Sequence, residues 1–243
     1  MSAVSSPPPS SLPPSSVPPL SPSERSTPRR SKERARADRQ ALYDVLDSAL
    51  VCHLAVVVDG VPLALPTVYG VDVDGPDPGG TLYLHGSVAS RSLVQGPGQE
   101  VSVTVTVLDG LVLARSGFHH SMNYRSAVVI GRPRVVRDEA ERAHALDLVV
   151  DHVAAGRSTA LRQPTRKELA ATTVLALPLV EASVKVRDGG VEDEPEDVLA
   201  GGVGAGVVPL RLVAEEPVPA PELADEVDVP LPQHVRARVD ALR

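Results

Sequence analysis

The run Val101-Ser102-Val103-Thr104-Val105-Thr106-Val107 sets valine at every odd position and a hydroxyl at every even one. Successive strand side chains point to opposite faces, so this run has one apolar face and one polar face. It predicts a half-buried antiparallel strand, or one wall of a barrel. Other short runs join it. Val51 to Val58 reads as a strand that ends at the tight-turn pair Asp59-Gly60. Val61 to Val73 reads as its partner, with Pro62 and Pro66 limiting which edges can pair. Leu82 to Leu84 is a further strand, and Asp109-Gly110 a second turn signal. Ala127 to Val136 is a strand interrupted at Gly131 and Pro133. Arg134 reads there as a strand arginine without charged neighbours. Val174 to Leu177 and Ala182 to Arg187 complete the set.

Helices flank these strands. Ser31 to Ala49 reads as one, with Ser31 as cap and Leu42, Val45, Leu46 and Ala49 at helical spacing. Ser90 to Gln95 is a short one. Asp138 opens another with Glu141 in the capping-box position; Ala143, Leu146, Val150 and Val153 form its stripe and Gly156 ends it. A doubly wound sheet is not expected, because strands do not alternate with helices and no GxGxxG follows a first strand. The pattern predicts a mainly β fold with flanking helices, in which an antiparallel barrel closes on itself.

Composition bounds the rest. Residues 1–31 are about two-thirds Ser and Pro with a basic end, and such a segment buries too little to offset its ordering entropy. A disordered tail is expected there. The folded domain is expected over 32–213, with an acidic and Gly-rich loop at 190–205, and a Pro-rich acidic tail over 214–243. Net charge is −7, aromatics are 2% and tryptophan is absent. A nucleic-acid binder needs a basic footprint and often stacking aromatics, so no nucleic-acid partner is expected. No run is long and apolar enough to span a bilayer, and a soluble cytoplasmic protein without a membrane partner is expected. The single Cys52 excludes an internal disulfide and a cysteine zinc cluster, and it reads as a buried inert thiol.

Chemistry is concentrated in Leu82-Tyr83-Leu84-His85-Gly86-Ser87-Val88-Ala89-Ser90-Arg91, a strand, a Gly-Ser turn and a helix start. Ser87 and Ser90 offer hydroxyls, Arg91 a fork of N–H donors, and the first helical turn free backbone N–H groups. A phosphomonoester suits such a turn. So does an ordinary N-cap, with Ser87 or Ser90 capping and Arg91 solvated.

Several stretches together resemble one family. They are Leu46 to Leu54, Pro66 to Tyr69, Leu82 to Arg91, Leu108 to Ser126, Glu168 to Leu177 and Glu181 to Arg187. The chain is similar to the FMN-binding split-barrel proteins of the pyridoxamine 5'-phosphate oxidase-like superfamily, on the branch with the nitroimidazole-resistance proteins. The resemblance implies an antiparallel six-stranded split β-barrel of Greek-key type and a homodimer with FMN at the interface. It implies that His85, Ser87, Ser90 and Arg91 hold the flavin phosphate. It implies that Pro66, Thr67, Val68 and Tyr69 meet the isoalloxazine ring. It sets Asn123, Tyr124, Arg125 and Ser126 near the site, and Lys185 as a late-strand cation within reach of the cofactor. The activity implied is flavin-dependent oxidoreduction of a small molecule, with a non-catalytic flavin- or haem-binding carrier or redox sensor as the alternative. Two departures from the family stand out. Gly204 occupies a position that is often Trp, and Leu210-Arg211-Leu212-Val213 replaces an Arg-Leu-Ala-Pro ending, so vitamin B6 oxidation itself is not expected.

The histidines offer a competing reading. A haem would use His53, His85 or His119 as ligand. His53 lies in an apolar strand, His119 and His120 are neighbours ill placed to chelate one metal, and His85 sits at the turn. No separate metal site is expected. No catalytic general acid or base stands out, and no Ser/His/Asp or paired-carboxylate pattern supports a hydrolase.

Overall fold

The computed structural model describes residues 17–218, 220–221 and 232–241. Two antiparallel sheets form the body. The larger contains β1 (Ala35–Arg36), β2 (Cys52–Val58), β3 (Val61–Thr67), β6 (Val101–Leu113), β7 (Ser121–Gly131), β10 (Ala182–Arg187) and β11 (Gly206–Pro209). Its order is β1-β10-β7-β6-β2-β3, with β11 added to the far half of β6. The smaller contains β4 (Tyr69–Asp72), β5 (Thr81–Ser87), β8 (Arg134–Val135) and β9 (Thr172–Pro178), in the order β4-β5-β9-β8. This is the mainly β split barrel that the resemblance implied. No strand pairing joins the two sheets among the described residues, so the barrel is not closed as the strand pattern alone suggested. Among the described residues there are eleven strands rather than six. The additions are mostly β1, β4, β8 and β11, each of two to four residues and too short for an alternation to be read.

The core lies between the sheets. β2 buries every second residue from Cys52 to Val58, and β6 buries Val101, Val103 and Val105 as its valine pattern requires. Leu82 and Leu84 of β5 and Leu175 and Leu177 of β9 face them from the smaller sheet. Helix α1 (Arg39–Ser48) inserts Leu42, Val45 and Leu46 into this cluster. The other face of the smaller sheet is covered by α3 (Glu139–Val153), where Tyr83, Val174 and Ala176 meet Ala145, Leu146 and Leu148. α2 (Arg91–Gln95), α4 (Arg166–Ala171), α5 (Pro195–Ala200) and α6 (Gln233–Ala241) are short.

Several local signals are overridden. The first helix begins at Arg39, capped by Asp38, whose carboxylate accepts from Gln40 N at 3.0 Å. Ser31 heads only a single 3-10 turn, Lys32–Arg34, without a side-chain cap bond, because Ala35 and Arg36 extend to pair with Lys185 and Val184. Asp59-Gly60 is the expected turn, both residues at positive φ. Asp109-Gly110 is not a turn. It lies inside β6 at a bulge, and a Cβ on Gly110 would stand 3.1 Å from Val208 O, so glycine here lets β11 approach. Val61 to Val73 breaks at Val68 into β3 and β4, which join different sheets.

Residues 17–31 lie against the barrel. Leu20 is buried, its N–H donates to Ala37 O at 3.1 Å, and Ser21 N donates to Ala182 O at 2.7 Å. Arg25 bridges Glu181 and Glu100. The expected tail therefore packs over this part, while residues 1–16 lie outside the described residues. Within 214–243, α6 forms where only tail was expected. α5 likewise forms inside the 190–205 segment read as a loop.

Candidate functional site

The thirteen residues expected at the site fall into separate places. Ser87 ends β5, and its Oγ accepts from Ala89 N at 3.2 Å. Ser90 Oγ lies 3.0 Å from Ser92 Oγ and makes no cap bond to α2. Arg91 is exposed and ion-paired with Asp59 of the β2–β3 turn. Of the three, Arg91 is the one that meets the tip of the β2–β3 hairpin.

Pro66 and Thr67 lie at its other end, where they pair with His53 and Cys52. From Asp59 back to His53 is roughly 20 Å of strand. Beside His53 opens a groove of about 960 Å³ whose lining includes His53, Thr106, Leu108, Asp109, Arg125 and Arg211. Arg125 gives Asp109 a two-pronged contact at 2.9 and 3.0 Å and donates to Ser48 Oγ at 2.8 Å. The hydrogen-bonded Asp109 carboxylate raises the Arg125 guanidinium further above its ordinary value. Thr106, Ser126 and Lys185 line up across β6, β7 and β10, and Lys185 Nζ donates to Arg30 O at 3.0 Å. Tyr124 lies opposite Leu108, on the same outward face. Val68 links the two sheets and is half-buried.

Two expectations change character. Tyr69 is wholly buried; its hydroxyl donates to Leu46 O at 2.6 Å and Ala49 O at 3.0 Å, so it anchors the end of α1 and cannot face a ring from solvent. Asn123 is buried, donating to Gly189 O at 3.0 Å and accepting from Arg187. Arg187, which the sequence did not single out, is also buried and holds the carbonyls of Gly189 and Gly190 at 3.0 and 2.9 Å. No local sequence pattern marks Arg187; pairing of β10 with β7 brings it to the start of β7, beside Asn123. Arg134 also departs from expectation: it bridges Asp77 at 2.8 Å and Glu141, which Tyr83 reaches with its hydroxyl at 3.1 Å.

His85 separates from the rest of its turn. It shares the outward face of β5 with Tyr83 and lines a cavity of about 430 Å³ between α3 and α4. The walls include Leu146, Val149, Val150, Leu161, Pro164 and Leu169; Arg162 and Glu168 form an ion pair at its edge. Ser87, Ser90 and Arg91 take no part in it. The Nδ1 atom of His85 is buried with no hydrogen-bond partner, and burial lowers its pKa below the ordinary 6.5. The neutral imidazole, the form that ligates metals, is therefore the resting one.

The sequence and the fold both match known proteins. A family model described as pyridoxamine 5'-phosphate oxidase matches residues 38–186. The structure is similar to the flavocytochrome Anf3 of Azotobacter vinelandii, with 35% identity and a TM-score of 0.80 over 93% of this chain and 99% of that one. It is similar to the FAD and haem binding protein of Mycobacterium smegmatis, with 39% identity and a TM-score of 0.76 over 84% of this chain and 97% of that one. A candidate 5-nitroimidazole antibiotic resistance protein of Bacteroides thetaiotaomicron shares the fold at 22% identity and a TM-score of 0.50, over 63% of this chain and 86% of that one. No curated protein matches the sequence. The chain belongs to the pyridoxamine 5'-phosphate oxidase-like family.

Proposed function

We propose that this protein is a redox protein that binds a flavin and a haem, and works as a flavin-dependent oxidoreductase on a small molecule. The observation that carries the proposal is the presence of two cavities of unlike chemistry in one chain. The relatives at 35% and 39% identity are a flavocytochrome and an FAD and haem binding protein. A flavin supplies hydride and single-electron exchange, a haem single-electron exchange at iron.

The groove suits the flavin. It joins an apolar strand surface to hydroxyls and to the guanidinium groups of Arg125 and Arg211, with Pro66 and Thr67 on the strand beside His53. The serines and arginine of the phosphate turn lie a strand's length away in the same chain. A homodimer resolves this separation, one chain offering the groove and its partner the turn. The flavin form is FAD: the relative with 39% identity outweighs the argument for FMN from a turn whose Arg91 already pairs with Asp59. Tyr69 and Asn123 support the site from behind through backbone contacts, without touching the ring.

Acid release of the chromophores from purified protein, identified by mass, tests the reading. FAD and protoporphyrin together are expected. Neither chromophore after loading with both would overturn it, and FMN in place of FAD would restore the single-phosphate site.

A further inference from the structure

We propose that His85 is the axial ligand that this chain supplies to the haem iron, in the cavity between α3 and α4. This rests on the haem reading above. The chain offers three candidate histidines, and the structure separates them. His119 Nε2 faces Glu194 at 3.4 Å and its ring packs edge-on against Phe118, so its polar side is engaged with a carboxylate. His53 stands exposed on the open groove, where nothing in this chain would shield the faces of a porphyrin. His85 alone lines an apolar slot.

Three features of that slot converge. Its walls are aliphatic side chains from α3, from the segment before α4 and from α4 itself, the surface that a flat apolar macrocycle needs on both sides. Its only imidazole carries a buried nitrogen that bonds to nothing in the chain. That atom is Nδ1, and no hydrogen bond among the described residues engages Nε2 either, so the ring is not committed elsewhere in the fold. The cavity edge carries one guanidinium, Arg162, which is ion-paired with Glu168 and could turn to a propionate instead. Coordination here balances simply. The neutral imidazole nitrogen shares its lone pair with iron, and no proton or electron has to leave.

The strand geometry explains why His85 takes this role while its neighbours do not. Along β5, Leu82 and Leu84 point into the barrel core, whereas Tyr83 and His85 point outward under α3. Gly86 follows on the inner face, where a Cβ would meet Leu93 at 2.7 Å. The His-Gly pair therefore sends the imidazole to one face and leaves room for α2 on the other.

The test uses full-length His85→Gly, His85→Gln, His53→Ala and His119→Ala, each loaded with haemin and with flavin. Haem per chain is read by pyridine haemochrome, and ligation by electron paramagnetic resonance. Circular dichroism and flavin content show that each variant is folded. His85→Gly and His85→Gln should retain flavin and lose nearly all haem, and added imidazole should restore haem and a histidine-type spectrum to His85→Gly. His119→Ala should keep the wild-type haem content. A His85→Gly protein with wild-type haem content and spectrum overturns the assignment, as does haem loss confined to His53→Ala or His119→Ala. Wild-type protein that takes up flavin but no haemin fails the haem reading itself, which separates that failure from this one.

Discussion

The two outer faces of this barrel are built from the same kind of strand and finished differently. The smaller sheet buries its outer face beneath α3, where Tyr83, Val174 and Ala176 lie dry against Ala145 and Leu146. The larger sheet presents His53, Ala55, Ser102, Thr104, Ser126 and Val128 half or fully exposed. The difference teaches where each cavity gets its walls. The His85 cavity takes its walls from β5, α3 and residues 161–172 of one chain. The groove by His53 is a large open face with guanidinium groups at its edge, the form expected of a site that a second copy closes.

The largest expected effect falls on the open face. Val128→Glu places a charge on the row Thr104, Val128, Ser183. It should weaken association of two chains by a factor on the order of 100 and release flavin, while haem content stays at the wild-type level. Its folding stability should move little, about 0.5 kcal/mol, as for other surface changes. Sedimentation and chromophore spectra read both; loss of haem with retained flavin would invert the comparison.

On the covered face, Arg134→Ala should do the opposite. It strips two largely shielded carboxylates, Asp77 and Glu141, of their shared partner, and Glu141 also holds Tyr83. Arg134 is partly exposed, so solvent screening limits the loss to about 2 kcal/mol, a fall in Tm of roughly 4–8 °C. Haem retention should suffer more than flavin retention, because α3 forms a wall of the His85 cavity.

Tyr69→Phe sharpens the border between core and site. It leaves two buried carbonyl contacts unmade and should cost about 1–2 kcal/mol of stability with flavin affinity nearly unchanged. A flavin defect without a stability defect would return Tyr69 to the ring.

The smallest effect is a pH slope. His152 donates from Nε2 to Ala49 O at 2.7 Å, stacks on Tyr69, and is held by burial below the ordinary 6.5. Above about pH 6.5 both folded and unfolded histidine are neutral and its contribution is whole. As pH falls below that value the unfolded chain takes up the proton first, so stability declines until the lowered native pKa is passed. His85 acts in the same direction in the haem-free chain. Denaturant midpoints between pH 5 and 7.5 should fall with acid, and His152→Gln should flatten part of that slope.

The strand content was legible because its signals are local. The valine-hydroxyl alternation of β6 and the Asp59-Gly60 turn depend only on neighbours in the chain. What escaped depends on distant partners. Asp109-Gly110 reads as a turn until β11, a hundred residues onward, pairs across it. Ser31 reads as a cap until β1 is drawn to β10. The phosphate turn was visible as a motif, but the pairing of Arg91 with Asp59 and the turning away of His85 required the fold. His85 was named from the sequence with the wrong surroundings, because its cavity is walled by residues 146–172.

Multi-wavelength analytical ultracentrifugation of the loaded wild-type protein across a dilution series tests the contrast most directly. Flavin absorbance should travel only with the two-chain species and disappear from the protein as it dissociates. Haem absorbance should travel with every species, single chains included. Full flavin occupancy on single chains, or haem that leaves as the dimer separates, would contradict the account.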